Sequence, residues 1–269
     1  DQHYISDGYT FQDIMQNKFF QNKKNIFIVN AGIDGQSTYG HIHNFRYWFP
    51  KISGLKVDYI LFYVGINDFY IKHKNSYDDL ILKEKNLKNL IKSKSIIFDI
   101  FRMTQGVLFA NAYGLNHNIS NEINEFSFSN WVSKPYLNNH YDLMEEKLKS
   151  YEKRLNILCD ETYNIGAKPI FVSQSSRRTY HYLDNKLIGI PFFANLDGKK
   201  INGLDYRIMI KMMNTSLKKV ANDRGAIFID LENELEFDLK NDFYDNSHNT
   251  PQGSIKIGHY LYEKTKDLF

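Results

Sequence analysis

Residues 57–68, which read VDYILFYVGIND, decide the fold of this chain. The run from Val57 to Val64 is almost continuously apolar, as expected of a parallel strand that is covered on both faces. Gly65 ends the run, and Asn67 and Asp68 follow where the chain leaves the strand. Functional side chains of open parallel sheets gather at this end of the strands. The stretch therefore predicts a buried strand with polar side chains at its carboxyl end.

Three other short runs have the same apolar, β-branched character, at residues 25–31, 168–173 and 226–231. Segments with helical periodicity separate them, at residues 11–23, 38–49, 141–163, 204–222 and 253–268. Strands that alternate with helices predict an α/β fold with right-handed crossovers and a parallel sheet. Residues 69–139 break the alternation, and we interpret them as a partly helical insertion. We expect one domain over residues 1–269, since this length suits one large α/β domain.

The composition narrows the function classes. The chain has 34 basic and 31 acidic side chains, for a formal charge of +3, and its lysines are scattered. Nucleic-acid binding is not predicted, because it needs a clustered basic face. The lone Cys159 excludes a disulfide framework and a cysteine-rich zinc site. His41 and His43 stand two apart, without the spacing of metal ligands on a helix, so neither a metal nor another cofactor is predicted.

Residues 30–38, which read NAGIDGQST, form a glycine-containing loop between a predicted strand and a helix. Glycines allow positive φ and close backbone approach, and amides at a helix start can face an anion. The phosphate-loop pattern Gly-x-x-x-x-Gly-Lys is absent. The loop is therefore open to two interpretations, an anion-facing loop or a tight turn in which Ser37 caps the helix.

Residues 245–253, which read DNSHNTPQG, place an acid and a histidine three residues apart before the last predicted helix. At this spacing the carboxylate of Asp245 can contact Nδ1 of His248, so that Nε2 can take a proton from a hydroxyl. We interpret the pair as catalytic rather than structural.

Together these pieces resemble three characteristic blocks of the SGNH (GDSL-like) hydrolase family. NAGIDGQS resembles the second block, GIND the third and DNSH the fifth, in the family's order. The resemblance implies a serine ester hydrolase in which the backbone amide of Gly35 and the side-chain amide of Asn67 bind the oxyanion. It makes His248 the general base and Asp245 its orienting acid. It also implies a three-layer α/β/α sandwich on a five-stranded parallel sheet, in the flavodoxin-like order 2-1-3-4-5.

The family's first block, which carries the nucleophilic serine at the end of strand one, is not found in residues 1–11, DQHYISDGYTF. Ser6 has no strand in front of it, and residues 9–16 resemble the helix that follows the serine. We therefore expect the serine just upstream of Asp1, with strand one largely or wholly missing from this sequence. The rival interpretation is a serine-less pseudoenzyme. Ser37 and Ser247 are weaker candidates for the nucleophile.

The substrate is predicted only by class. Arg177 and Arg178 follow the run at residues 168–173, and with Asp68 they are our candidate substrate-binding residues; solvent-exposed arginines are the alternative. Five aromatics could line a glycan or acyl pocket or simply pack in the core: Tyr113, Phe126, Phe128, Trp131 and Tyr136. We favour O-acetyl or short acyl esters of carbohydrate over two alternatives, a glycan O-acyltransferase and a non-catalytic glycan-binding module. For the compartment two alternatives stand: extracytoplasmic or membrane-anchored if an upstream anchor exists, and cytoplasmic otherwise. The oligomeric state is not predicted.

Overall fold

The computed structural model describes residues 5, 7–33, 35–71 and 128–269. Most of the predicted insertion, residues 72–127, lies outside the described residues, and so do Tyr113 and Phe126. Along the described chain the first elements are α1 (Phe11–Gln21), α2 (Thr38–His43), β1 (Tyr59–Phe62) and α3 (Ile66–Phe69). They are followed by α4 (Tyr141–Asn164), β2 (Lys168–Val172), β3 (Tyr180–Leu183), β4 (Lys186–Gly189), β5 (Ala194–Leu196) and β6 (Lys199–Ile201). The last elements are α5 (Gly203–Arg224), β7 (Ile227–Ile229), α6 (Leu231–Glu234) and α7 (Pro251–Thr265).

The central sheet of the described chain is parallel and has the strand order β1-β2-β7. Leu61 of β1 is in register with Ile170 of β2, which is in register with Ile227 of β7. These strands confirm three of the four predicted runs. The five-stranded sheet expected from the sequence is not confirmed, since the described residues give a central sheet of three strands.

The strand predicted at residues 25–31 is not a strand in this structure. The segment is irregular; Ile26 and Ile28 pack partly against the core, whereas Phe27 is 75% and Val29 is 85% exposed. The side chain of Gln16 supplies hydrogen bonds that a neighbouring strand would otherwise supply. Its Nε2 donates to the carbonyl of Ile26, and its Oε1 accepts the amide of Ile28. A strand requires a ladder of backbone hydrogen bonds, and within the described residues nothing supplies one here.

Helices cover both faces of the sheet, because successive strand residues point to opposite sides. Ile170 and Val172 of β2 face a core formed with α1 and α7, in which Phe19 and Leu261 are fully buried. Phe171, between them, faces the second core, which α4 and α5 complete. The carboxyl ends of β1 and β2 are thereby held at one edge of the sheet, where the candidate site residues follow.

Two antiparallel hairpins, β3–β4 and β5–β6, lie between β2 and α5 and were not predicted. Asp184 and Asn185 turn the first hairpin with φ of 48° and 63°, and Asp197 and Gly198 turn the second with φ of 49° and 81°. Both pairs are typical of two-residue hairpin turns, so the sequence contained the signal.

Within the part of the chain that the structure describes, no helix combines the length and the apolar character needed to cross a bilayer.

Candidate active site

The acid and the histidine of the DNSH stretch form a direct pair. Nδ1 of His248 lies 2.6 Å from Oδ2 of Asp245. The other oxygen of this carboxylate, Oδ1, accepts the backbone amides of Ser247 and His248, each at 2.7 Å. The same carboxylate therefore shapes the turn and orients the imidazole.

The loop that carries the pair is held at both ends. Phe243 and Asn249 form an antiparallel bridge, and the amide of Tyr244 donates to the carbonyl of His248 at 3.1 Å. The ring of Tyr244 stacks on the imidazole at 5.4 Å between centroids and 7° between planes. Thr250 then caps α7, with Pro251 in its first turn, so a rigid helix start follows the loop directly.

The electrostatics of the pair favour an ionised acid. Burial acts to raise the pKa of Asp245, but the hydrogen bond and charge of His248 and the amides of Ser247 and His248 lower it below its ordinary value. An ionised Asp245 holds the proton of Nδ1 and stabilises an imidazolium when one forms. Nε2 is consequently the ring nitrogen that can exchange a proton with a reacting hydroxyl.

The two predicted oxyanion donors come from segments that contact each other. Nδ2 of Asn67, in α3, donates to the backbone carbonyl of Gln36 at 3.0 Å. Gly35, the residue before Gln36, has φ of 68°, a left-handed conformation that glycine adopts without strain. The amide nitrogen of Asn67 carries two hydrogens, so its bond to Gln36 leaves capacity for a second acceptor. The structure thus brings Asn67 to the loop of Gly35.

Gly65 explains how Asn67 reaches this position. Its φ of 131° lies outside the range of other residues, and a Cβ atom built there would approach the hydroxyl of Tyr151 to 3.2 Å. The sharp bend lets α3 begin with three residues separating it from β1, so that Asn67 stands at the carboxyl end of the sheet.

Asp68, predicted to bind substrate, has partners inside the protein. Its side chain is buried and accepts the amide of Thr38 at 3.2 Å, the hydroxyl of Thr38 and Nη2 of Arg154 at 2.9 Å. Burial raises the pKa of Asp68, and the charge of Arg154 and the bonds from Thr38 oppose that rise. The structure therefore gives Asp68 an internal role, and its contact with substrate stays a prediction.

Arg177 and Arg178 begin a short 3-10 helix, Arg177–Thr179, shortly after β2. The guanidinium carbon of Arg177 lies 5.6 Å from the ring centre of Tyr180. Burial lowers the pKa of Arg178 to about 10, and the charge of Asp245 acts in the opposite direction. The charge of Asp245 therefore acts on the guanidinium of Arg178.

Sequence reasoning missed two arginines near these residues. Arg154 bonds Asp68 from the middle of α4, and Arg207 of α5 lies 4.7 Å from the ring centre of Tyr180. The sequence around either arginine does not indicate these contacts, because an arginine in an amphipathic helix usually faces solvent.

The remaining predictions concern Ser37 and the aromatic residues. Ser37 accepts the amide of Tyr39 and caps α2, as one of the two interpretations of the loop proposed. Phe128 stacks on His181 at 4.6 Å and contacts Trp131 edge to face. Tyr136 is 43% exposed.

Comparisons with known proteins point to the fold. No protein-family model matches the chain, and no curated protein does. The crystal structure of the psychrotrophic esterase EstA from Pseudoalteromonas sp., inhibited by monoethylphosphonate, is similar in fold, with a TM-score of 0.51. The two chains are 11% identical, and the similarity covers 99% of this chain and 91% of that one. The part of the chain that the structure describes therefore shares its overall fold with that esterase.

Proposed function

We propose that this chain carries the base, the orienting acid and two oxyanion donors of a serine-dependent ester hydrolase. The observation that carries the proposal is the contact of 2.6 Å between Nδ1 of His248 and Asp245. The contact of Asn67 with the Gly35 loop supports it, because an acyl-transfer site needs donors for a developing oxyanion. The similarity in fold to an esterase is consistent with this reaction class.

In the proposed reaction a serine hydroxyl attacks the ester carbonyl while Nε2 of His248 takes the hydroxyl proton. The carbonyl oxygen becomes an oxyanion that the amides of Gly35 and Asn67 stabilise. The C–O bond of the ester then breaks, and His248 gives its proton to the leaving alcohol. Water, activated by the same histidine, releases the acid from the acyl-enzyme and restores the serine.

We propose that the nucleophilic serine lies upstream of Asp1, on a strand next to β1. The segment at residues 25–29 supports this, because Ile26 and Ile28 face the core as strand residues would, yet no ladder partner is present among the described residues. In the described chain, β1 likewise pairs with β2 alone. Reading the upstream coding sequence tests the point. A strand without serine there would favour the non-catalytic glycan-binding protein.

Labelling with a phosphonate ester tests the proposed function directly. A p-nitrophenyl alkylphosphonate should modify the full-length protein once, and the modified residue should be the upstream serine. Hydrolysis of p-nitrophenyl acetate should stop as labelling proceeds. Absence of both labelling and hydrolysis would refute the proposal.

For the substrate we propose O-acetyl or short acyl esters of carbohydrate, with Arg177 and Arg178 holding a polar or anionic group beside the ester. A panel of p-nitrophenyl esters and acetylated sugars tests this class. Release of free acetate without an acceptor sugar would argue against the alternative, a glycan O-acyltransferase.

A further inference from the structure

Arg154 joins two segments of the candidate site. It is 5% exposed, in the middle of α4. Its Nε donates to Oγ1 of Thr38 at 2.6 Å, and its Nη2 donates to Oδ1 of Asp68 at 2.9 Å. The third nitrogen, Nη1, donates to the hydroxyl of Ser150 one turn earlier in the same helix, at 2.7 Å. The guanidinium is therefore anchored to its own helix while it binds two other segments.

Asp68 completes the connection. It accepts both the backbone amide and the hydroxyl of Thr38. Thr38 is the first residue of α2, directly behind the loop of Gly35, and Asp68 follows Asn67 in the chain. Arg154, Asp68 and Thr38 thus form a closed triangle of hydrogen bonds at the junction of the two donor-bearing segments.

We propose that Arg154 is a positioning residue that sets the distance between the Gly35 amide and the Asn67 side chain. This inference rests on the proposed function of those two groups as oxyanion donors. Gly35 lies three residues before Thr38, and Asn67 lies next to Asp68; the guanidinium binds both Thr38 and Asp68. A shift of Arg154 therefore moves one donor relative to the other.

The chemistry of the triangle suits positioning better than packing alone. A guanidinium is planar and presents donors at fixed angles from three nitrogens, each of which binds a different partner here, whereas a lysine ammonium has all its donors on one nitrogen. The ring of Tyr39 lies 4.3 Å from the guanidinium carbon and restricts it further. Burying a charged pair contributes little net stability compared with apolar residues of the same volume. An apolar pair would pack the junction but would not fix its geometry.

The kinetic consequence is specific. The oxyanion exists in the transition state and not in the bound ester, so misplaced donors lower kcat and leave KM nearly unchanged. A displacement of about 1 Å can cost roughly 100-fold in rate.

The experiment compares Arg154→Met, Arg154→Lys and Thr38→Val in the full-length protein, with Arg46→Met as the matched control. Arg46 also bonds α4, through Glu161 at 2.9 Å, but its side chain is exposed and lies away from the triangle. One readout is kcat and KM for p-nitrophenyl acetate. The second readout, which needs no activity, is hydrogen exchange in peptides that cover residues 30–40 and 64–71.

We expect Arg154→Met to lower kcat roughly 100-fold, with KM changed by less than about threefold, and to speed exchange in both segments. Arg154→Lys should recover only part of kcat, and Arg46→Met should leave both readouts unchanged. Thr38→Val keeps the Arg154–Asp68 pair and should show a smaller loss of the same kind. It takes the place of Arg154→Met if that variant does not fold.

Three results would overturn the inference: full kcat in Arg154→Lys, a rise in KM alone, or exchange that changes in α4 but in neither donor segment. If the unaltered protein hydrolyses no ester, the proposed function fails by itself, and the exchange data still decide whether Arg154 fixes the two segments.

Discussion

His248 and Asp245 contact each other through Nδ1 and Oδ2 at 2.6 Å, within a turn whose amides bind the same carboxylate. The acid thus performs two tasks, since it folds the loop with one oxygen and orients the imidazole with the other. Loss of Asp245 should therefore affect both the local structure and the proposed reaction, whereas loss of the His248 side chain should affect mainly the reaction.

Replacing His248 by alanine should remove catalysis and preserve the fold. Without the base, turnover of p-nitrophenyl acetate by the full-length protein should fall by about 10⁴-fold or more. The circular dichroism spectrum should stay unchanged, because Asp245 keeps its two bonds to backbone amides. His259→Ala, on the exposed side of α7, is the matched control and should retain full activity. Turnover that survives in His248→Ala would contradict the assignment of the base.

Asp245→Asn should lower stability in a pH-dependent way. The pKa of Asp245 is depressed in the folded protein, so the ionised acid stabilises the fold above the unfolded pKa, about 4. That contribution disappears as the pH falls through the folded pKa. The difference in free energy of unfolding between the unaltered protein and the variant should be large at pH 7 and should shrink below about pH 4. Urea titrations across this range measure it, and a difference independent of pH would argue against an ionised Asp245.

Asn67→Ala should impair the chemical step selectively. Removal of one oxyanion donor typically lowers kcat by about 10² to 10³-fold, and KM should change little. Loss of the bond to Gln36 should cost about 1 kcal/mol of stability. Asn22→Ala removes a comparable bond, from a side-chain amide to the carbonyl of Lys18, and serves as the control for stability. An equal effect of the two variants on kcat would mean that Asn67 acts only structurally.

The buried pair of Asp68 and Arg154 should show strong coupling. Asp68→Leu leaves the guanidinium buried without its carboxylate, which should cost about 3 to 5 kcal/mol. The double variant Asp68→Leu/Arg154→Met should be more stable than the sum of the single effects implies, because neither charge of the pair is then left buried without its partner. Urea unfolding of the four proteins gives the coupling energy. Strict additivity would show that the two side chains do not stabilise each other.

Arg178→Met tests the substrate-binding prediction. If the guanidinium holds a polar group of the glycan, KM for an acetylated sugar should rise about 10-fold or more, as for loss of one charged hydrogen bond. KM for p-nitrophenyl acetate, which lacks that group, should not change. Arg224→Met, at the far end of α5, is the control. An equal rise for both esters would place Arg178 in support of the acid–histidine pair instead.

Features set by neighbouring residues were predictable from the sequence. The acid and the histidine lie three residues apart, so one turn brings them together and no distant element is required. Helical periodicity likewise predicted α4 and α5, and continuous apolar runs predicted β1, β2 and β7. The hairpin turn at Asp197 and Gly198 belongs to this class as well, since an Asp-Gly pair is typical of a two-residue turn.

Contacts between distant residues were decided by the tertiary structure alone. The sequence predicted Asp68 at the carboxyl end of the sheet as a substrate-binding residue. Its side chain is instead buried and pairs with Arg154, which is 86 residues away in the chain. The same arginine reaches Thr38 across 116 residues. Residues 25–31 have a strand's composition, yet a strand exists only where a neighbour supplies the hydrogen-bond ladder. The sequence by itself determined local periodicity and the acid–histidine turn, whereas packing of distant segments decided which polar groups face the site and which bind inside the protein.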